Sequence, residues 1–386
     1  LTLEGLGALI GFSPQYISEV ERAKTPMSGP FVSACDQALD ARGALSALLP
    51  AVVGERVVQR HDRATIRHSG LRPLSASGSL AAQPVVAAEV DPELVPHWLE
   101  LKGILTDHDQ LFGPHQVLAI TQRGLGIIGR QRHACRGHLR TDLMRVESRW
   151  EMLSAWLYDD AGDPAASASM ERARTLAVEA DDSLMIAYVL VRQSERASRS
   201  GKAREAIALA QAARRERGVT PHVRALSALH EALGHARAGE MAACQVNLEA
   251  AHELVGQRHD AIVDSSFEGL GRHYATRTTV LAGEARCWLW LGQPRKAVDA
   301  AQRALACWPA IRRRGRGLQL AGFAVACAAA GEPDRAAHEG LRALSVTRAT
   351  RSNRAMRELR RLDRRLATTP QAQGVAEFRE AFATTR

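Results

Sequence analysis

Near the start of the chain, Gln15, Tyr16, Glu19 and Arg22 fall on one side of a helical spacing, with Ile17 and Val20 on the other. Amide, phenol, carboxylate and guanidinium together make a surface for hydrogen-bonded recognition. A helix apolar on one side and rich in such groups on the other suits reading a DNA major groove. The elements that must hold it are legible. Thr2 caps a first helix, whose Leu6, Leu9 and Ile10 form an apolar stripe that stops at Gly11. Ser13 caps the second, with Pro14 at its first position, where a missing N–H costs nothing.

Other spacings suggest chemistry without supplying it. Gly124-Leu-Gly126-Ile-Ile-Gly129 spells the dinucleotide fingerprint, and Val117–Thr121 could be the strand before it, but nothing else reads as βαβ. The segment is better read as a helix thinned for close packing. His230-Glu231-Ala-Leu-Gly-His235 approaches the zinc-protease signature, yet histidines five apart lie about 140° apart on a helix. They are expected at the surface or between helices. The six cysteines contain no Cys-x-x-Cys pair and are expected as small buried thiols. No catalytic constellation, cofactor or metal site is expected.

Thr2 to Glu21 resembles the helix-turn-helix of Cro/repressor-type regulators, the XRE family, and Ser28–Leu49 is similar to helices 4 and 5 of the version common in actinobacteria. The resemblance implies that Gln15 and Glu19 face base edges, since Gln bonds adenine bidentately and Glu accepts from cytosine N4. It implies that Tyr16, Arg22 and Lys24 lie near phosphates and that Ser13 belongs to the DNA-binding set. Glu21 matches a position that usually pairs with a base on the family's first helix. Leu3 replaces a Gln that often touches phosphate, and Ala23 stands where a left-handed Gly is usual. The family's first helix would precede Leu1, so the sequence reads as starting inside its DNA-binding domain.

Composition does not make the DNA argument. Residues 1–50 hold five acids and three bases, a net charge of −2, although the 386-residue chain carries +9. The excess lies downstream, in Arg312-Arg313-Arg314-Gly315-Arg316 and Arg360-Arg361-Leu362-Asp363-Arg364-Arg365, expected as solvated helix faces. Hydrophobic residues make up 46% and charged residues 24%, which predicts a soluble chain. No apolar run is long enough to span a bilayer and no leader is evident, so a cytoplasmic protein without membrane contact is expected.

Beyond a linker of Ser, Gly, Pro and Ala over about Arg56–Val90, the chain repeats. Gly162, Gly201, Gly239, Gly292 and Gly331 stand 39, 38, 53 and 39 residues apart. Seven residues before each stands Ala155, Ser194, Ala232, Ala285 or Ala324, and five after stands Ser167, Ala206, Cys244, Ala297 or Ala336. Twelve after come Arg174, Ala213, Ala251, Ala304 and Ala343. Two antiparallel helices joined at a glycine approach closely only where their crossing residues are small, and stacked hairpins bury a face that one alone could not. The pattern resembles the tetratricopeptide repeat over about residues 140–350. The 53-residue gap predicts a longer helix or an extra loop around Gly256–Gly271. Trp288 is expected in the core; Trp98, Trp150, Trp156, Trp290 and Trp308 are expected in the core or on a ligand-contacting concave face.

An all-α protein is therefore expected: a helix-turn-helix unit over 1–50, a linker over 51–90 and a tetratricopeptide-like solenoid over 91–386. The resemblances imply a regulator binding a double-stranded DNA operator as a homodimer, with a peptide, small-molecule or protein ligand in the solenoid groove. The alternative is a protein-interaction scaffold whose helix-turn-helix is vestigial.

Overall fold

The computed structural model describes residues 2–22, 25, 27–41, 43–45, 91–256, 267, 270, 274, 276–372 and 374–385. Every regular element among them is helical. The N-terminal unit comprises α1 (Leu3–Ile10), α2 (Pro14–Glu21) and α3 (Gly29–Ala38). The Thr2, Ser13 and Ser28 hydroxyls accept from the third backbone N–H beyond each, and Gly11 ends α1 at φ 73°. Ile10, Ile17, Val20, Phe31, Val32 and Cys35 form its core. Leu9 departs from expectation: it is 63% exposed, because Leu3, Leu6 and Ile10 already fill the inward stripe and Leu9 falls off it. Of the similarity expected over Ser28–Leu49, α3 and Gly43–Leu45 fall within the described residues. The linker over 51–90 lies outside them.

Seven hairpins follow among the described residues. They pair α4 (Leu94–Phe112) with α5 (Pro114–Ala134), α6 (Gly137–Ala161) with α7 (Ala165–Glu179), and α8 (Ser183–Arg199) with α9 (Ala203–Arg215). Next come α10 (Pro221–Ala238) with α11 (Met241–Gly256) and α12 (Arg277–Trp290) with α13 (Pro294–Ala306). The last are α14 (Arg313–Ala329) with α15 (Pro333–Thr350), and α16 (Asn353–Leu366) with α17 (Val375–Ala383). The five repeat glycines all adopt positive φ, from 71° to 82°, a region that other L-residues enter only with strain. Ala155, Ser194, Ala232 and Ala324, before the turns, and Ala206, Cys244, Ala297 and Ala336, after them, have no exposed surface. That is the close helix crossing that small residues permit.

The first repeat is out of register. Ser167 and Arg174 are exposed, and Ala166 and Ala173 take the buried places instead. At this turn Ala166 N–H bonds Asp163 O and Ser167 N–H bonds Pro164 O, three residues back, whereas Ala206 and Ala297 bond four residues back. The tighter 3₁₀ winding reaches the inward direction one residue sooner. The fingerprint-like glycines lie inside α5, and Val117–Thr121 is helical too. A Cβ at Gly124 would overlap the Trp150 indole, so this helix is thinned for packing as expected.

The hairpins do not make an open ramp. The helices that begin each pair face inward, and the last of them return to the first. Gly113, after α4, lies so close to Thr350 O at the end of α15 that a Cβ there would collide with it. Gly162 meets the Asn353 amide at the start of α16 in the same way. The solenoid thus closes on itself around a central chamber. The extra residues of the 53-residue gap fall between α11 and α12, in a connection most of which lies outside the described residues. From that connection Phe267 lies under the Arg149 guanidinium, Leu270 packs with Met185 and Tyr188 of α8, and Tyr274 lines the chamber.

Candidate functional site

Two surfaces carry candidate chemistry, and one of them was expected. On α2, Gln15 and Arg22 are exposed, Glu19 is half-buried, and Ile17 and Val20 are buried against α1 and α3. Gln15 Nε2 donates to Glu19 Oε1 at 3.4 Å and Thr25 Oγ1 donates to Glu19 Oε2 at 2.9 Å, so this carboxylate is oriented before it meets anything else. Tyr16 is less available than its spacing implied. Its ring stacks on Phe12 and meets Phe31 edge-on, and its hydroxyl donates to Ser28 Oγ at 3.4 Å. Ser13 spends its hydroxyl on the cap, accepting from Tyr16 N–H at 3.2 Å. Lys24 lies outside the described residues.

The second surface was not legible. The chamber encloses about 950 Å³ of empty space, part of it open to solvent, and its wall draws on all seven inner helices. Across it run buried ion pairs that join the two ends of the solenoid. Arg314 of α14, expected on a solvated face, is 2% exposed; its Nη2 donates to Asp109 of α4 at 2.6 Å and its Nη1 to Asp160 of α6 at 3.1 Å. Ser352 Oγ, at the cap of α16, donates to the same Asp160 at 2.9 Å. Arg354 Nη2 of α16 donates to Glu195 of α8 at 2.6 Å, and Arg192 pairs with Glu195 at 2.7 Å. Trp156 anchors the cluster, with the Arg192 guanidinium 4.1 Å and that of Arg354 4.6 Å from the ring centre.

The electrostatics follow from this crowding. Burial raises the Asp109 carboxyl to about 6, because Arg314 opposes the shift but must also serve Asp160. Burial alone would push Glu195 upward, yet Arg192, Arg354 and Arg199 together hold it well below the usual carboxylate range. The His230 imidazole, on the chamber wall and 7% exposed, is lowered to about 4 by burial and is neutral at pH 7. Its Nδ1 is buried without a hydrogen-bond partner. His235 instead bonds Glu240 at 2.6 Å, so the two histidines part as their spacing required. No group of three or more potential metal ligands occurs among the described residues.

Trp98 and Trp150 are core residues in edge-on contact 5.3 Å apart, and Trp288 is core as expected. Trp156 and Trp308 line the chamber. Five cysteines are buried; Cys307 is exposed, contrary to expectation, because it caps the end of α13 rather than sitting between helices. The ion-pair cluster left no signal in the sequence: Asp109 stands between His108 and Gln110, and Asp160 between Asp159 and Ala161, contexts that read as ordinary helix ends. No family model matches the chain, and comparison with curated proteins finds no match. Among the described residues no helix is long and apolar enough to cross a membrane.

Proposed function

We propose that this chain is a cytoplasmic, sequence-specific DNA-binding transcriptional regulator whose closed solenoid is its sensing and dimerising module. One observation carries this reading: α2 is capped at its start, has its apolar back on α1 and α3, and turns Gln15 and Arg22 to solvent with Glu19 beside them. That is the disposition a recognition helix needs. It also fits the resemblance of Thr2–Glu21 to the XRE family and of the hairpins to tetratricopeptide repeats. Pairing two chains through the solenoid would set two such helices one turn of DNA apart, roughly 34 Å, over a pseudo-palindrome. A ligand that favours one arrangement of the chamber would then shift the population of that dimer.

Selection of bound fragments from a random duplex pool tests the reading. The full chain is expected to enrich one two-fold-symmetric motif, and the Gln15→Ala/Glu19→Ala double variant to lose that preference while keeping its helical circular dichroism. Enrichment of no motif would refute it. The scaffold reading draws on the engagement of Glu19 by Gln15 and Thr25 and on the net negative charge of residues 1–50. It predicts that the double variant behaves as the parent chain in every respect.

A further inference from the structure

The chamber is lined by both aliphatic and ionic side chains. One wall is aliphatic, formed by Leu226, Leu229 and Leu233 of α10 with Leu318 of α14. At one end it shares Arg286, Leu318 and Arg354 with a second hollow of about 500 Å³ of empty space. That second cleft adds Arg199, Arg357 and Arg361, and among the described residues the single carboxylate on its wall is Glu358.

Two of these five arginines are not neutralised locally. Arg199 pairs with Asp159 at 2.7 Å and Arg361 with Glu358 at 2.9 Å. Arg286 and Arg357 make no ion pair or hydrogen bond among the described residues. Arg354 holds Glu195 through Nη2, but its Nη1 is buried without a hydrogen-bond partner, on a residue only 6% exposed. A buried donor left unmet costs on the order of 1–3 kcal/mol, more when charged, unless something else satisfies it. His230, with its unmet Nδ1, stands on the same wall as the leucines. Cationic donors at one end, an aliphatic surface on α10 and Leu318, and one neutral polar contact near the shared arginines describe a complementary ligand.

We propose that the chamber and its adjoining cleft bind a small anionic amphiphile. Its phosphate or carboxylate head is held by Arg286, Arg354 and Arg357, and its aliphatic body lies along Leu226, Leu229, Leu233 and Leu318. His230 meets a hydrogen-bonding group near the junction. Arginine suits such a head because its planar donors match the paired oxygens of either anion. The inference rests on reading the solenoid as a ligand-binding module, and it is independent of whether α2 reads DNA. It also gives the ligand leverage, since Arg354 pairs with Glu195 of α8 across the chamber: a head group there bears on a contact between the last hairpin and the third.

Calorimetric titration of the full chain, without DNA, tests this with decyl phosphate and decanoate, and with decanol and inorganic phosphate as the separated halves. At least one of the two amphiphiles is expected to bind one per chain and to quench tryptophan fluorescence, since Trp156, Trp290 and Trp308 line the two hollows. Comparison of the two distinguishes a phosphate from a carboxylate head. Decanol and inorganic phosphate are expected to bind at least about tenfold more weakly. Arg286→Gln and Arg357→Gln remove no ion pair among the described residues, so both should fold, and each should weaken binding about ten- to hundredfold. Absence of saturable binding by either amphiphile would overturn the proposal, as would equal binding of decanol or indifference to both arginine variants. A chain that enriches a DNA motif but fails this titration loses only the ligand assignment; one that passes it without enriching a motif loses only the DNA reading.

Discussion

Replacement of Arg314 by Gln tests the closing ion pairs most directly. Arg314 is the shared partner of Asp109 and Asp160, and all three side chains are almost wholly out of water. Removing one member of a buried pair leaves its partner charged and unmatched, at a cost of about 3–5 kcal/mol. The pH dependence is more diagnostic than the cost itself. In the parent chain Asp109 titrates at about 6, above its ordinary value of 3.8. Without Arg314 the carboxyl would hold its proton to higher pH in the folded state, while the unfolded chain releases it near 4. Above pH 6 the folded variant therefore binds one more proton than its unfolded form, and its stability falls as pH rises. The gap between parent and R314Q is expected to widen by about 1.4 kcal/mol per pH unit above pH 6, until Asp109 finally ionises. Urea unfolding followed by circular dichroism at pH 6, 7 and 8 measures this. Adding Asp109→Asn should flatten the pH response, and the two substitutions should couple by at least about 1 kcal/mol. A gap below about 1 kcal/mol at pH 8, or one that stays constant with pH, would refute the account of Arg314 as the neutralising partner of buried carboxylates.

Three further outcomes follow from single sites. His230 has a folded value near 4 against an ordinary 6.5, so below pH 6.5 the unfolded state binds the extra proton and stability drops as pH falls; by pH 4.5 the loss from this group is on the order of 2 kcal/mol, and His230→Gln should remove it from urea midpoints. Gly124→Ala sets a methyl group into the Trp150 ring and is expected to cost about 1–3 kcal/mol, read as a lower thermal midpoint, whereas Gly126→Ala, which meets only an Arg130 nitrogen at 3.7 Å, should leave that midpoint unchanged or slightly raised. Cys307 is the exposed thiol among the six cysteines, so a disulfide reagent should label one thiol per folded chain quickly and the others only on unfolding.

Local signals transferred well from sequence to structure. The caps at Thr2 and Ser13 and the turn at Gly11 depend on a few adjacent residues, and the hairpin glycines depend only on needing positive φ, so both were readable. The shift at Ala166 and Ala173 was not, because Gly-x-Pro is spelled alike at Gly162 and Gly292 while the winding that follows differs. Leu9 shows the opposite limit: an apolar residue near the correct spacing is still exposed when neighbours have filled the stripe. The chamber was illegible for a stronger reason. Its pairs join residues about two hundred positions apart, Asp109 to Arg314 and Asp160 to Ser352. Nothing in an arginine-rich run marks Arg314 as buried and Arg313 as exposed until the curvature of the stack is known.

Closure also bears on how the chain must be made. A linear array of repeats can settle as each one leaves the ribosome, because every unit needs only the one beside it. Here the carboxylates of Asp109 and Asp160 emerge long before Arg314 and Ser352 do. Until those residues are synthesised, the early repeats hold acidic side chains whose native counterions do not yet exist, so the nascent N-terminal half must stay loose or hydrated there. A single stop codon late in the reading frame would therefore reach the first hairpins of the solenoid as well as the last.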